Sequence, residues 1–265
     1  MRNIGLIIIG DEILSGKRQD KHLPKVIALL NARGLSLAWA RYIGDHRGHL
    51  TAALKDAFAG GDIVFSCGGI GATPDDHTRQ SAAAALDRPL VLHPQAEALI
   101  RQRMQEIAVE QGLSYDPDRA DNVHRLNMGM FPQGAEVILN PYNKIPGFSV
   151  GDVHFVPGFP VMAHPMIESL LDGRYAALQG SQVQAERSVI VMGGMEAALT
   201  PLMEDIEARF PGIKVFSLPS VDHPQWGRHI ELGVKGPPAD TVPAFQALLA
   251  ELARTAVTLG PELVR

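Results

Sequence analysis

The sequence predicts a mixed α/β chain: a three-layer α/β/α domain with a mostly parallel sheet, then a small α+β domain. Two observations carry this. In the first half, short apolar runs alternate with stretches whose apolar residues recur at helical spacing, the pattern of a parallel sheet covered on both faces. Past residue 185 the order becomes strand, helix, strand, strand, helix, which suits helices laid on one side of a short sheet. With 265 residues, 46% hydrophobic and 20% charged, the chain can bury a core without disulfide or metal support and lies outside the compositions of disordered or fibrous proteins.

Ile4 to Ile9 reads as a buried strand ending at Gly10. Leu23, Val26, Ile27 and Leu30 form one face of a helix that Gly34 closes. Leu37 to Tyr42 is the next strand. Leu50, Ala53, Leu54, Ala57 and Phe58 make a helical stripe ended by Gly60-Gly61, and Asp62 to Cys67 is a short buried strand. Helices are expected from Pro74 to Leu86 and from Pro94 to about Gln111. Between 112 and 160, proline and glycine break the pattern into short strands and loops. That stretch ends in a strand at Val153 to Val156 and the loop PGFP, and a helix follows from about Val161 to Leu171. Gly173 to Gln184 is small and polar and reads as a linker, giving domains 1–175 and 185–265. In the second, strands are expected at Ser188–Met192, Ile213–Leu218 and His229–Val234, and helices at Glu196–Phe210 and Phe245–Ala256.

The net charge of −5 supplies no basic face for nucleic acid, and Glu196, Glu204, Asp205 and Glu207 crowd the first helix of the second domain. A single cysteine, Cys67, allows no intrachain disulfide and suits a reducing compartment. The opening apolar run is shorter than a signal-peptide core, and none approaches the ~18 residues of a membrane span. A cytoplasmic setting without a membrane partner is therefore expected. Ten histidines without HExxH or a Cys/His cluster argue against zinc.

Two loops carry the chemistry, and both leave the carboxyl ends of parallel strands, where ligands bind in such sheets. The first is Cys67-Gly-Gly-Ile-Gly-Ala-Thr-Pro-Asp-Asp-His-Thr-Arg79. Three glycines let the backbone turn sharply and approach a ligand. Thr73 reads as an N-cap, Pro74 as the first helical position and Asp76 as a capping-box acid. A helix N-terminus under a glycine loop is an anion site. Asp75 and Asp76 would repel a phosphate unless a divalent cation lay between them. In the second loop, GDEILSG, Asp11 and Glu12 stand at the tip of the first strand. Asp11, Glu12, Asp75 and Asp76 together have the make-up of an oxygen-ligand site for magnesium, manganese or cobalt. Cys67 reads as a packed strand-end residue, since no partner base is evident.

GDEILSG, GGIGATPDDHT, FPQGAEVILNPYNKIPGF and FVPGFPVMAHPM closely resemble the N-terminal domain of competence-damage-inducible protein A. That domain belongs to the molybdenum-cofactor-biosynthesis (molybdopterin-binding) superfamily, and the resemblance spans roughly residues 4–172. The segment after 185 is similar to the small α+β domain that follows it in the family. The nicotinamide-nucleotide amidase domain of longer members is expected to be absent. The resemblance implies either binding of a molybdopterin-type ligand or metal-dependent cleavage of a nucleotide pyrophosphate such as ADP-ribose.

Matched by position, Gly68, Gly69, Gly71, Thr73, Asp76 and Thr78 form the ligand loop, and Asp75 is the doubled acid. Gly10, Asp11 and Glu12 match the first loop, and Asp45 an aspartate after the second strand. Asn140, Pro146, Gly147, Pro157, Gly158 and Pro160 match the two later loops. Three stretches depart from the family. KRQDKHLPKV replaces an Asp-Thr-Asn run, Ala72 stands where proline is frequent, and Asn143, Lys144 and Ile145 replace small residues. Lys144 is expected to touch a phosphate as a point charge.

The first expectation is a metal-dependent nucleotide pyrophosphatase. Asp75 and Asp76 would be catalytic, the four acids would hold the metal, and the glycine-loop amides would hold the phosphate. The alternative is a non-catalytic module for a pterin or nucleotide. The expected partners are a small-molecule phosphate ligand and further copies of the chain in a homo-oligomer.

Overall fold

Along Ile4–Ile9 (β1), successive side chains enter different cores: Ile4, Leu6 and Ile8 one, Ile7 and Ile9 the other. Period-two alternation with both faces apolar is what a central strand between two helical layers requires. The computed structural model describes residues 2–180 and 184–264. The chain divides into two units, Met1–Gln179 and Gly180–Arg265.

In the first unit β1 is followed by α1 (Asp11–Leu14), α2 (His22–Asn31), β2 (Trp39–Ile43), α3 (Arg47–Gly60), β3 (Ile63–Cys67) and α4 (Thr78–Leu86). Then come β4 (Leu90–Leu92), α5 (Pro94–Glu110), α6 (Ala120–Arg125), β5 (Met130–Pro132), β6 (Glu136–Ile138), β7 (Gly147–Val150), β8 (Val153–Val156) and α7 (Pro160–Asp172). The main sheet runs β2-β1-β3-β8-β7-β6. β2, β1, β3 and β8 are mutually parallel, and β7 and β6 return antiparallel. Helices α2 and α7 cover one face through Val26, Leu30, Met166 and Ile167. Helices α3, α4 and α5 cover the other through Leu50, Leu54, Ala82 and Ala96. The three-layer α/β/α expectation holds.

Several boundaries differ. Helix α4 begins at Thr78 rather than Pro74, because the Thr78 N–H donates to the Gly69 carbonyl at 3.0 Å and its hydroxyl to Gly68 at 3.0 Å. Thr73 to Asp76 instead closes a separate turn, with the Asp76 N–H donating to the Thr73 carbonyl at 3.0 Å. So Thr73 is not the cap of that helix. Ile27 faces solvent while Leu29 takes its expected buried place. The edge strand β2 starts two residues late, at Trp39. Helix α6 lies in the stretch expected to hold only strands and loops. Tyr175, placed in the linker, is a core residue, and part of that linker, 181–183, lies outside the described residues.

The second unit comprises β9 (Ala185–Met192), α8 (Glu196–Arg209), β10 (Lys214–His223), β11 (Gly227–Gly236), α9 (Pro238–Leu252) and β12 (Thr258–Val264). Its antiparallel sheet has the order β10-β11-β9-β12. Val189, Val191 and Leu232 of the sheet share one core with Leu199 and Ile206 of α8 and Phe245 and Leu248 of α9. The last helix starts seven residues earlier than expected, at Pro238, and β12 was not anticipated. No helix among the described residues is long and apolar enough to cross a membrane.

Candidate ligand recess at the carboxyl edge of the sheet

Parallel pairing aligns Ile8 with Cys67 and Cys67 with Val156, so three loops emerge side by side at one edge. These loops, with the turn after β2 and the loop before β7, enclose a recess of about 640 Å³. Gly10, Gly68, Gly69, Gly71, Thr73, Pro146 and Gly158 line it, as do Glu12, Asp45, Asp75 and Asp76.

The glycine loop is shaped by backbone that only glycine tolerates. Gly68 and Gly69 have φ of +111° and +67°, and a Cβ on Gly68 would lie 2.5 Å from the Ile9 carbonyl oxygen. Behind the loop, Thr78 is fully buried and Arg79 nearly so. The Arg79 guanidinium donates to the Ile70 carbonyl. Burial lowers its pKa, and the charge of Asp76 works against that shift. Asp76 accepts from the Thr73 N–H at 2.8 Å and from its hydroxyl at 2.5 Å, folding the loop tip over Gly71. From α6, His124 Nε2–H donates to the Ala72 carbonyl at 3.0 Å.

Asp11, Glu12, Asp45 and Asp75 border an adjoining recess of about 600 Å³. Asp11 and Asp45 satisfy each other's backbone: the Asp11 N–H donates to Asp45 at 2.9 Å, and the Asp45 N–H to Asp11 at 3.2 Å. Burial raises the Asp45 pKa, and the charges of Asp11, Glu12 and Asp75 raise it further against the bond from the Asp11 N–H. Asp75 moves the other way, lowered by the Thr73 hydroxyl and its own backbone.

The four predicted metal ligands share the edge but do not assemble. Among the described residues no three His, Cys, Asp or Glu side chains are disposed to hold a metal ion. Asp76 is committed to Thr73, Asp11 to Asp45, and Glu12 leans over Gly10. A cage built by the protein alone does not fit these residues.

Four other predicted site residues, Lys144, Asn140, Gly147 and Thr78, lie outside the recess lining. Lys144 adopts φ +64° and its ammonium pairs with Glu106 of α5, so the cation expected to meet a phosphate already has a carboxylate partner. Asn140 is buried and folds its own loop, donating to Asn143 at 2.8 Å and the Ile145 carbonyl at 2.9 Å. Gly147 is buried in β7, where a Cβ would strike the Phe155 carbonyl. Thr78 supports the loop from behind.

Sequence reasoning missed the apolar wall, formed by Ile70, Met128, Ile145, Phe159 and Met162. It also missed Arg18. Only Phe159, in PGFP, had a local signal, as an aromatic between turn residues. Methionine and aromatic side chains lining the same recess as a glycine loop suit a flat ring bearing a phosphate. Cys67 is buried and its thiol is pushed up by that burial, which leaves it unreactive.

Residues 5–180 match the family described as "Probable molybdopterin binding domain". A CinA-like protein of Desulfosudis oleivorans is 30% identical over 215 residues, covering 79% of this chain and 50% of that protein. One from Syntrophotalea carbinolica is 30% identical over 221 residues, covering 78% and 51%. The chain thus spans about half the length of the curated relatives it matches. The crystal structure of the CinA protein of unknown function from Thermoplasma acidophilum has the same fold, with TM-score 0.54 and 24% identity over 64% of this chain and 98% of that one.

Proposed function

The chain belongs to the molybdopterin-binding-domain superfamily that includes the CinA-like proteins, and from that premise we propose that its first unit binds a small phosphorylated heterocycle, a pterin or a nucleotide. One observation carries this reading: positive-φ glycines and a set of apolar side chains line one recess. The ring would lie on Phe159, Met128 and Met162, and glycine-loop amides would meet the phosphate.

Calorimetric and thermal-shift titration with ADP-ribose and with a phosphorylated pterin tests it. Saturable binding of either supports the reading, and binding of neither overturns it. Asp76→Asn sharpens the test, since the amide oxygen keeps one acceptor for Thr73 while the charge goes. With magnesium present to bridge carboxylate and phosphate, the expected result is affinity about tenfold weaker with a melting temperature lowered by no more than about 3 °C. Unchanged affinity with only a lower melting temperature would make Asp76 a loop brace.

A second reading, hydrolysis of a pyrophosphate linkage, is favoured by the carboxyl groups of Asp45, Asp75 and Asp76 lining the same recess as the glycine loop. Any divalent cation would need the ligand's own phosphates among its ligands, as magnesium commonly has. Release of AMP from ADP-ribose with magnesium, manganese or cobalt favours hydrolysis. Stabilisation without release leaves the binding module.

A further inference from the structure

A smaller recess of about 330 Å³ adjoins the first and shares Ile9, Glu12, Arg18 and Gly158 with it. Gln19, Lys21 and His22 help wall it. Among the described residues Arg18 is the only lysine or arginine lining the larger recess, and it lines the smaller one too, which puts it at the junction of the two. Both cations come from the KRQDK run that departs from the family pattern.

The segment is held firmly while its cations are left unpaired. The Arg18 N–H donates to the Glu12 carbonyl at 2.9 Å. Asp20, the only acid in the run, caps α2 by accepting from the His22 N–H at 2.8 Å and the Leu23 N–H at 3.0 Å. It also accepts from the Tyr42 hydroxyl at 2.9 Å. That carboxylate is therefore committed to other donors. His22 is buried and donates from Nε2 to the Gly158 carbonyl at 3.0 Å, which ties the segment to the third loop of the edge. Among the described residues neither the Arg18 guanidinium nor the Lys21 ammonium forms an ion pair or a hydrogen bond. Arg33, by contrast, bridges Glu168 and Asp172. Glu12, whose carboxylate leans over Gly10, is the opposing charge that two cations must outweigh.

We propose that Arg18 and Lys21 form an anion subsite of the ligand recess that receives a phosphate or pyrophosphate group, with the Arg18 fork at the junction and Lys21 as a point charge. The subsite deepens the phosphorylated-heterocycle reading and rests on it. Guanidinium suits this seat because its planar donors match two phosphate oxygens at once. An acid-lined edge with one such seat selects ligands whose charge is concentrated at that end.

The experiment titrates inorganic pyrophosphate and ADP-ribose into the full chain and into Arg18→Gln, Lys21→Gln and Lys25→Gln, at two salt concentrations. Arg18 and Lys21 are exposed, so their variants keep the fold. Lys25 is an exposed lysine of α2 outside both recesses, and its variant controls for net charge alone. Affinity for both probes is expected to fall about tenfold in Arg18→Gln and less in Lys21→Gln, with the difference shrinking at high salt. Lys25→Gln should match wild type. ADP-ribose bound equally by all four proteins would overturn the subsite and leave the recess reading standing. Equal loss in Lys25→Gln would reduce the effect to a general field and also overturn it. Pyrophosphate bound through Arg18 while ADP-ribose and the pterin fail to bind would keep the subsite and remove the heterocycle. Binding of no probe would remove both.

Discussion

The two edges of the main sheet treat polar groups in opposite ways. At the edge where β7 turns into β8, every member of a chain of groups is paired. The Ser149 hydroxyl donates to His154 Nδ1 at 2.7 Å, His154 Nε2–H to the Tyr175 oxygen at 2.6 Å, and the Tyr175 hydroxyl to Asp152 at 2.7 Å. Arg2 closes the chain on Asp152 at 2.5 Å. Burial alone would raise Asp152, yet the bonds from Arg2 and Tyr175 carry it below its ordinary value. The composition is that of a serine hydrolase relay, but Ser149 and His154 are buried and no substrate can meet them. At the carboxyl edge, Asp45 sits among like charges, the Arg18 guanidinium has no partner among the described residues, and the glycine loop faces an open recess. Polar groups that support a fold saturate one another, whereas groups that serve a ligand are left short of partners.

Glycine substitutions offer the strongest way to break this contrast. Gly68→Ala demands a disfavoured φ of +111° and puts a methyl 2.5 Å from a backbone carbonyl that cannot yield. We expect a loss of about 2–4 kcal/mol and about 5–10 °C in melting temperature, together with loss of ADP-ribose binding. Gly151→Ala, in the β7–β8 turn, has φ +59° and nothing within 4 Å of the new methyl. It should cost about 1 kcal/mol and leave binding intact. Differential scanning calorimetry with and without ADP-ribose compares the two. A Gly151 variant that lost binding would mean the edges are not independent.

The closed chain should reveal itself in acid. Burial, helped by Arg174, holds His154 down at about 3. An unfolded histidine titrates near 6.5. Between those values the unfolded chain binds the extra proton, so stability falls as pH drops, by up to about 1.4 kcal/mol per pH unit. His164, held at about 4 by burial and by His22 and Lys25, adds to the loss in the same direction. Tyr175→Phe removes both the acceptor for His154 and the donor to Asp152. At neutral pH it should cost about 1–3 kcal/mol by denaturant titration without weakening ADP-ribose. Weakening comparable to that of Gly68→Ala would join the two edges into one network.

How far the sequence reveals these edges depends on how local each cause is. β1 and β3 were readable because burial on both faces forces continuous apolar runs, and their glycine loops because a sharp turn demands glycine. Helix α4 was misplaced because Thr73, Pro74 and Asp76 carry genuine helix-start chemistry that the chain uses for a separate turn. The real start depends on Thr78 meeting the carbonyls of Gly68 and Gly69, about ten residues earlier. Lys144 lies beside recess residues in sequence, but a left-handed backbone turns it toward Glu106 on another element. Tyr175 sits in a stretch whose small polar composition hides a long-range bond. Arg18 was visible as part of a basic departure, while its lack of a partner is a property of the folded chain alone.

The smallest expected effect is also the most direct test of the carboxyl edge. Asp45 has a raised pKa in the folded state, so between the unfolded and folded values the native chain holds the proton more tightly. Stability therefore falls as pH rises through the carboxylate range and remains lower at neutrality, the reverse of a carboxylate held by a salt bridge. Asp45→Asn removes the charge that meets Asp11, Glu12 and Asp75, and its amide oxygen can still accept the Asp11 N–H now bonded at 2.9 Å. Asp45 is only half-buried, so solvent screens much of the repulsion. The melting temperature at pH 7 should rise by only about 1–2 °C, with variant and wild type converging near pH 3. Pyrophosphate without metal should bind the variant at least as tightly, because one repelling charge has gone. A variant less stable than wild type at pH 7 would mean that the bond to Asp11 outweighs the repulsion. Asp45 would then belong to a satisfied network like that of His154, and the contrast between the edges would fail at its most exposed point.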